Sequence, residues 1–278
     1  MLHVSMGALV SLVIIMLVCF VLPFALFYVL YRYADGRVKT LLIGAGAYLV
    51  CGLVVDTVIA ALLDKLGGIN TVDPLYLLYA IILSPASFIL LNYLIIRRFG
   101  ADNMKTTGDS MMYSLGYSTA FNILSTGIVA AMYFLTLLDI KDRAGSYLVV
   151  SDADYVSASN TVSASNLVNE TVYNQMAKLC SEPVSYYLTF VVNCLWTFAA
   201  YAALMLVLWL AVKKSNKVIL LAFAFVIRLF VSLPDIFNHF NVIGNNWVAQ
   251  LVSIVILVIV WAAAIFCRRT FIDTDDAS

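Results

Sequence analysis

The sequence predicts an all-α fold: a polytopic membrane helix bundle of seven transmembrane helices. Three observations predict it. Hydrophobic residues make up 63% of the 278-residue chain and charged ones 12%, against about 25% charged in a soluble domain. The apolar residues are gathered into runs of the length a bilayer needs, about 17 to 25 residues. The basic residues are concentrated in alternate connections, as the positive-inside rule requires of a multi-pass chain. The formal net charge of +0 carries little information, because in a membrane protein the placement of charges matters more than their sum. No feature points to nucleic acid.

The spans run over 7–31, 40–63, 74–96, 110–138, 183–212, 218–236 and 247–267. The first begins almost at Met1, yet it lacks a basic leader and a small-residue cleavage site, so it is expected to be a retained helix. Asp73 and Pro74 form an N-cap and first-turn pair ahead of the third span, and Ser181 or Glu182 with Pro183 does the same for the fifth. The fourth and fifth runs exceed what a bilayer requires, which implies tilt or extension beyond it. Pro23, Pro85 and Pro234 each free a backbone carbonyl inside a span, and kinks are expected near Pro85 and Pro234. Trp247 opens the seventh span as an interfacial anchor.

One set of connections and the C-terminal segment hold Arg32, Arg37, Lys39, Arg97, Arg98, Lys105, Lys213, Lys214, Lys217, Arg268 and Arg269. The other set has only Lys65, Lys141, Arg143 and Lys178. The N-terminus is therefore expected outside, the C-terminus in the cytoplasm with 268–278 as a cytoplasmic tail, and the protein in the cell's cytoplasmic membrane. Residues 1–278 form a single membrane domain in this reading.

Its one long connection is an external loop at 139–182. "VSASN" occurs there twice, at 156–160 and 162–166, as slippage in a tolerant loop would leave it. Leu167, Val168, Val172, Met176 and Leu179 then follow helical spacing. They make an amphipathic helix that either lies on the outer membrane surface or packs as a loop helix. Asn169, Glu170 and Thr171 form a glycosylation sequon. Of the five cysteines, Cys19, Cys51, Cys194 and Cys267 fall in spans and Cys180 in this loop, a pattern of packing rather than of a disulfide framework.

Ionisable residues inside spans are expensive and mark functional candidates. Asp56 and Arg228 are the two that matter. At ~1.5 Å per residue they lie about 24 Å and about 15 Å from the basic ends of their spans, a difference an arginine side chain largely closes. The two either lock the helices together as a salt bridge, form part of a ligand or ion site, or do not pair. Asn92, Tyr117, Asn122, Asn193 and Ser232 fall at similar depth. Each alone suits interhelical hydrogen bonding; together they suggest a polar chamber walled by the second to sixth spans.

A catalytic zinc needs about three protein donors, but His3 and His239 both fall near the outer surface and Asp56 alone does not suffice. No metal or cofactor is expected. "GYSTA", 116–120, is similar to the serine-bearing turn of rhomboid proteases, but no span offers a histidine or lysine to activate the serine.

The stretches "GALVSLVIIMLVCFVLPFALFYVLYRY", "KTLLIGAGAYLVCGLVV", "YLLYAIILSPASFILLNYLIIRRF", "DSMMYSLGYSTAFNIL" and "AFVIRLFVSLPDIF" resemble the YhfC family of intramembrane metalloproteases, which is related to the CAAX-protease and bacteriocin-processing group. The resemblance places the family's paired glutamates at Phe88 and Ile89, followed by Asn92 and Tyr93. It places the Gly-His turn at Gly116 and Tyr117, with Phe121 where a glutamate follows. A later histidine with an aspartate or asparagine one turn on corresponds to Arg228 and Ser232, and a further histidine, preceded by Glu182 and Pro183, to Phe190. What the resemblance implies is thus a protease-like fold with its catalytic and metal-binding residues replaced.

The expected function is that of a non-catalytic pseudoprotease acting as a binding, immunity or regulatory protein. Its partners would be the lipid bilayer and a membrane peptide, a protein or an anionic small molecule. An active metallopeptidase with an unrecognised ligand set and a small transporter or ligand-binding membrane component are the alternatives.

Overall fold

The structure is a computed structural model of the chain, and it describes residues 4–67, 73–100, 102–142, 147–150, 167–214, 217–240 and 246–272. Seven helices are long and apolar enough to cross a membrane: Met6–Tyr33, Val38–Lys65, Pro74–Gly100, Thr107–Asp142, Val184–Lys213, Lys217–Pro234 and Val248–Thr270, here spans 1 to 7. This is the architecture of a multi-pass membrane protein. Large apolar side chains such as Phe24, Leu42, Leu90, Leu135, Val218 and Val258 are exposed, a surface that only lipid can cover without cost. Span 4, at 36 residues, is about 54 Å long against a hydrocarbon core of about 30 Å.

Span 5 is the central post. In its most apolar window 72% of residues are buried inside the protein, against 22 to 33% in the other six spans. Residues 203–211 are buried without a break, and spans 1, 4, 6 and 7 pack around the helix. Its alanines at 200, 203 and 211 are fully covered, and small side chains there let neighbouring backbones come close.

Wide π-helical turns interrupt spans 1 to 4: Leu17–Val21, Leu49–Val55, Leu78–Leu83, Ile96–Gly100 and Ile123–Gly127. Pro23 and Pro85 stand in the first turn of the helix that follows a wide turn. A proline ring crowds the carbonyl four residues back and supplies no N–H, and a wider turn relieves both problems. Pro234 instead lies within a helix, Lys217–His239, that continues past it.

The end of the bundle carrying most of the basic residues is tightly closed. A Cβ on Gly108 would overlap the backbone carbonyl of Ala34, one on Gly44 that of Tyr113, and one on Gly116 that of Leu41. Glycine is therefore what lets span 2 and the 33–37 turn lie against span 4. Span 4 starts at Thr107, ahead of the apolar run, because Thr106 and Asp109 form a capping box.

The Asp109 carboxylate, fully buried, accepts from the backbone N–H of Arg37 at 3.0 Å, Lys105 at 2.8 Å and Thr106 at 3.2 Å. The Arg37 guanidinium reaches to 3.9 Å. Trp209 Nε1 donates to the Met104 carbonyl at 3.0 Å and so ties span 5 to the same corner.

Beyond span 4, strands β1, Leu148–Val150, and β2, Leu167–Asn169, pair in parallel with Leu148 opposite Leu167. The expected amphipathic helix begins later than its periodicity suggests, at Glu170–Ser181. Asn169 ends the strand and caps the helix by accepting from the Val172 N–H at 2.8 Å. Met176, Leu179 and Cys180 pack with Leu137, Ile140 and Tyr187, and Tyr187 donates to the Leu179 carbonyl at 2.6 Å. It is a loop helix docked on spans 4 and 5.

Pro183 is the N-cap of span 5 rather than a first-turn residue. All five cysteines are free, although Cys19 and Cys194 bring their sulfurs to 3.4 Å. The paired "VSASN" segments, His3, Arg143 and the side chains of Asp73, His239 and Trp247 lie outside the described residues.

Candidate functional site

Away from the basic end the helices separate around a cavity of about 680 Å³, within the range of small-molecule sites, about 300 to 1,000 Å³. Late residues of spans 2 and 6, early residues of spans 3, 5 and 7 and the middle of span 4 form its wall. The wide turns govern what faces it. Asp56 follows the turn Leu49–Val55, Tyr79 lies within Leu78–Leu83, Ser84 follows that turn, and Ser125 and Thr126 lie within Ile123–Gly127. Such turns re-aim side chains and recur at functional sites.

Arg228 enters from span 6. Its Nη1 donates to Ser232 Oγ at 3.0 Å, and Ser232 in turn donates to the Arg228 carbonyl at 3.1 Å. The guanidinium carbon sits 5.1 Å from the centre of the Phe88 ring, a cation–π distance. Beneath it lies an aromatic floor. Phe88 stacks on Tyr201 at 5.6 Å, Tyr117 meets Tyr201 at 5.0 Å and Phe88 at 5.4 Å, and Tyr48 meets Tyr117 edge-on at 5.4 Å. A second cavity of about 80 Å³ is set among these rings, and Asp56 and Arg228 border both cavities.

Five of the residues singled out from sequence line the larger cavity: Asp56, Asn122, Asn193, Arg228 and Ser232. Tyr117 lines the smaller one. Asn92 lies in neither; its Nδ2 donates to the Phe88 carbonyl at 2.9 Å and its Oδ1 accepts from Tyr113 at 2.7 Å. Its polar atoms are consumed in joining spans 3 and 4, as an amide buried in a core must be. Asp56 and Arg228 share the wall without forming an ion pair. Tyr79 donates to Asp56 Oδ2 at 2.7 Å.

Span 7, absent from the expected wall, supplies Gln250 and Ser253. Gln250 Nε2 donates to Asn193 Oδ1 at 3.1 Å, and Asn122 Nδ2 donates to the Cys194 carbonyl at 3.2 Å. Asp56 Oδ1 and Gln250 Oε1 are buried acceptors with no hydrogen-bond partner among the described residues, unlike most buried polar atoms. An amide in an otherwise apolar run is the signal that could have brought Gln250 forward.

Among the described residues no three histidine, cysteine, aspartate or glutamate side chains gather as metal ligands would. The arrangement can present a guanidinium, a carboxylate, amides, hydroxyls and ring faces to a guest. No known family model, curated protein or solved structure matches the chain.

Proposed function

We propose that this chain is a non-catalytic relative of the YhfC-type intramembrane metalloproteases, a multi-pass membrane protein that uses its chamber to bind a guest. One observation carries the reading. Positions that the resemblance aligns with the family's ligating side chains come from separate helices, yet they border two cavities that share Asp56 and Arg228 in their walls. Phe88 lies 5.4 Å from Tyr117 and 5.1 Å from the Arg228 guanidinium, Arg228 bonds Ser232, and Phe190 lines the larger cavity.

The residues at those positions suit binding. A guanidinium remains protonated in proteins and offers five donors; near a divalent ion it adds repulsion. Rings give apolar and cation-accepting faces. In this reading the N-terminus is outside and the C-terminus in the cytoplasm. The chamber then occupies the outer half of the cytoplasmic membrane, where a membrane peptide, a lipid headgroup or a soluble molecule can enter.

The test is to purify the protein in mild detergent and identify copurifying molecules by native mass spectrometry. Wild type should retain a guest that Arg228→Gln loses while unfolding at a similar temperature. Chelator-sensitive cleavage of membrane peptides by the purified protein would overturn the proposal.

A further inference from the structure

We propose that the guest is a neutral polyol, a sugar or glycosyl headgroup whose hydroxyls donate hydrogen bonds to an acceptor-lined wall. The inference rests on the chamber being a binding site and goes further by naming the chemical class.

Three observations point to it. First, hydroxyls on the wall spend their protons on their own helices. Thr189 donates to the Tyr186 carbonyl at 2.6 Å, Thr197 to the Asn193 carbonyl at 2.7 Å and Ser253 to the Ala249 carbonyl at 3.0 Å, and all three residues line the larger cavity. A hydroxyl has one proton and two lone pairs. What each can still offer a guest is therefore an acceptor. Gln250, on the same wall, repeats the pattern: Nε2 donates to Asn193 Oδ1 at 3.1 Å, while Oε1 is a buried acceptor with no partner among the described residues.

Second, these oxygens stand among rings. Thr189, Asn193 and Thr197 follow one another at four-residue spacing along one face of span 5, and Tyr186, Phe190 and Trp196 line the cavity from the same turns. A sugar ring is apolar on its C–H face and carries hydroxyls round its edge. Aromatic faces beside acceptors match both parts of it.

Third, the ionisable side chains of the wall disfavour a guest of single charge. Arg228 stays protonated whatever it bonds and adds repulsion toward a cation. The Asp56 carboxylate and the lone pairs above do the same toward an anion. A neutral guest meets neither penalty, and its hydroxyls supply the protons that an anion lacks.

Two sources share this chemistry, the headgroup of a glycolipid and a free sugar, and the test on the intact protein has an arm for each. In the lipid arm, thermal unfolding is measured in nanodiscs of phosphatidylcholine alone and of phosphatidylcholine with a monoglucosyl diacylglycerol. In the soluble arm, unfolding and calorimetric binding are measured in phosphatidylcholine nanodiscs with glucose, maltose, ethanolamine and phosphate.

The glucolipid, a sugar or both should stabilise the wild type, with ethanolamine and phosphate at least about tenfold weaker. Thr197→Val, which keeps the side-chain shape, and Ser253→Ala should each weaken that binding about fivefold, the size of one neutral hydrogen bond; either variant suffices if the other does not fold. Sugar binding that these substitutions leave unchanged would overturn the polyol assignment, as would ethanolamine or phosphate binding as tightly as the sugars. In both cases a copurifying guest that Arg228→Gln loses would keep the chamber a binding site. If no probe binds, a copurifying guest that bears a sugar sustains the assignment, one without hydroxyls overturns it alone, and the absence of any guest overturns both readings.

Discussion

Asp109 and Asp56 are both aspartates inside the helical bundle, at its two ends, and they are held in opposite ways. The Asp109 carboxylate accepts three backbone N–H groups and has a guanidinium beside it. Asp56 receives one phenol on one oxygen, while the other is buried without a partner among the described residues. The first end is closed by glycines that allow backbones to touch; the second opens into a cavity of about 680 Å³. A charge placed to hold a fold is saturated by its own chain. The carboxylate on the cavity wall keeps one oxygen that the described residues do not satisfy.

The contrast can be broken by mutation, and the largest effect belongs to the closed end. Gly108→Val drives a branched side chain into the Ala34 carbonyl. It should prevent a folded monomer from eluting in size-exclusion chromatography, because a backbone clash cannot relax as a side-chain clash can.

Asp109→Ala comes next. It strands three buried N–H groups and should cost about 3 to 5 kcal/mol, read from denaturant unfolding followed by tryptophan fluorescence. At the open end Tyr79→Phe removes the phenol that donates to Asp56, and the loss should be about 1 to 3 kcal/mol in the same assay.

The smallest expected change sharpens the comparison most. Asp56→Asn keeps the Tyr79 bond and removes a poorly satisfied charge, so stability should stay within about 1 kcal/mol of wild type or rise. A loss at Asp56→Asn as large as that at Asp109→Ala would mean that the two aspartates do the same work.

The sequence shows the seven spans because run length and loop charge are one-dimensional signals. Each helix extends a few residues past its apolar run, since Arg, Lys and capping residues continue the backbone pattern into the interface. Depth was legible too, and it brought Asp56, Asn122, Asn193, Arg228 and Ser232 forward together. Azimuth was not. Asn92 has a suitable depth but faces Tyr113, and Gln250 faces Asn193 from a span whose polar content drew no notice.

The wide turns explain much of this, because each shifts the face that later residues present. Asp109 was readable in principle: Thr106 and an acid three residues later, just before an apolar run, form a capping signature. The signature stands just outside the apolar run, which begins one residue further on. The burial of span 5 has no local signal, as a centrally placed helix and a lipid-facing one are equally apolar in a membrane.

The widened turn Leu49–Val55 stores an angle. Successive residues on a regular helix are offset by about 100° around the axis, and a wider turn advances less per residue. Substitutions that tightened this turn to ordinary pitch, with no residue added or lost, would swivel everything after it by up to roughly that angle. The carboxylate at 56 would leave the hollow while every residue beyond the turn kept its identity. The pitch of the turn therefore acts as a rotary setting on the second helix, able to aim the carboxylate into the hollow or away from it without altering how greasy the helix looks.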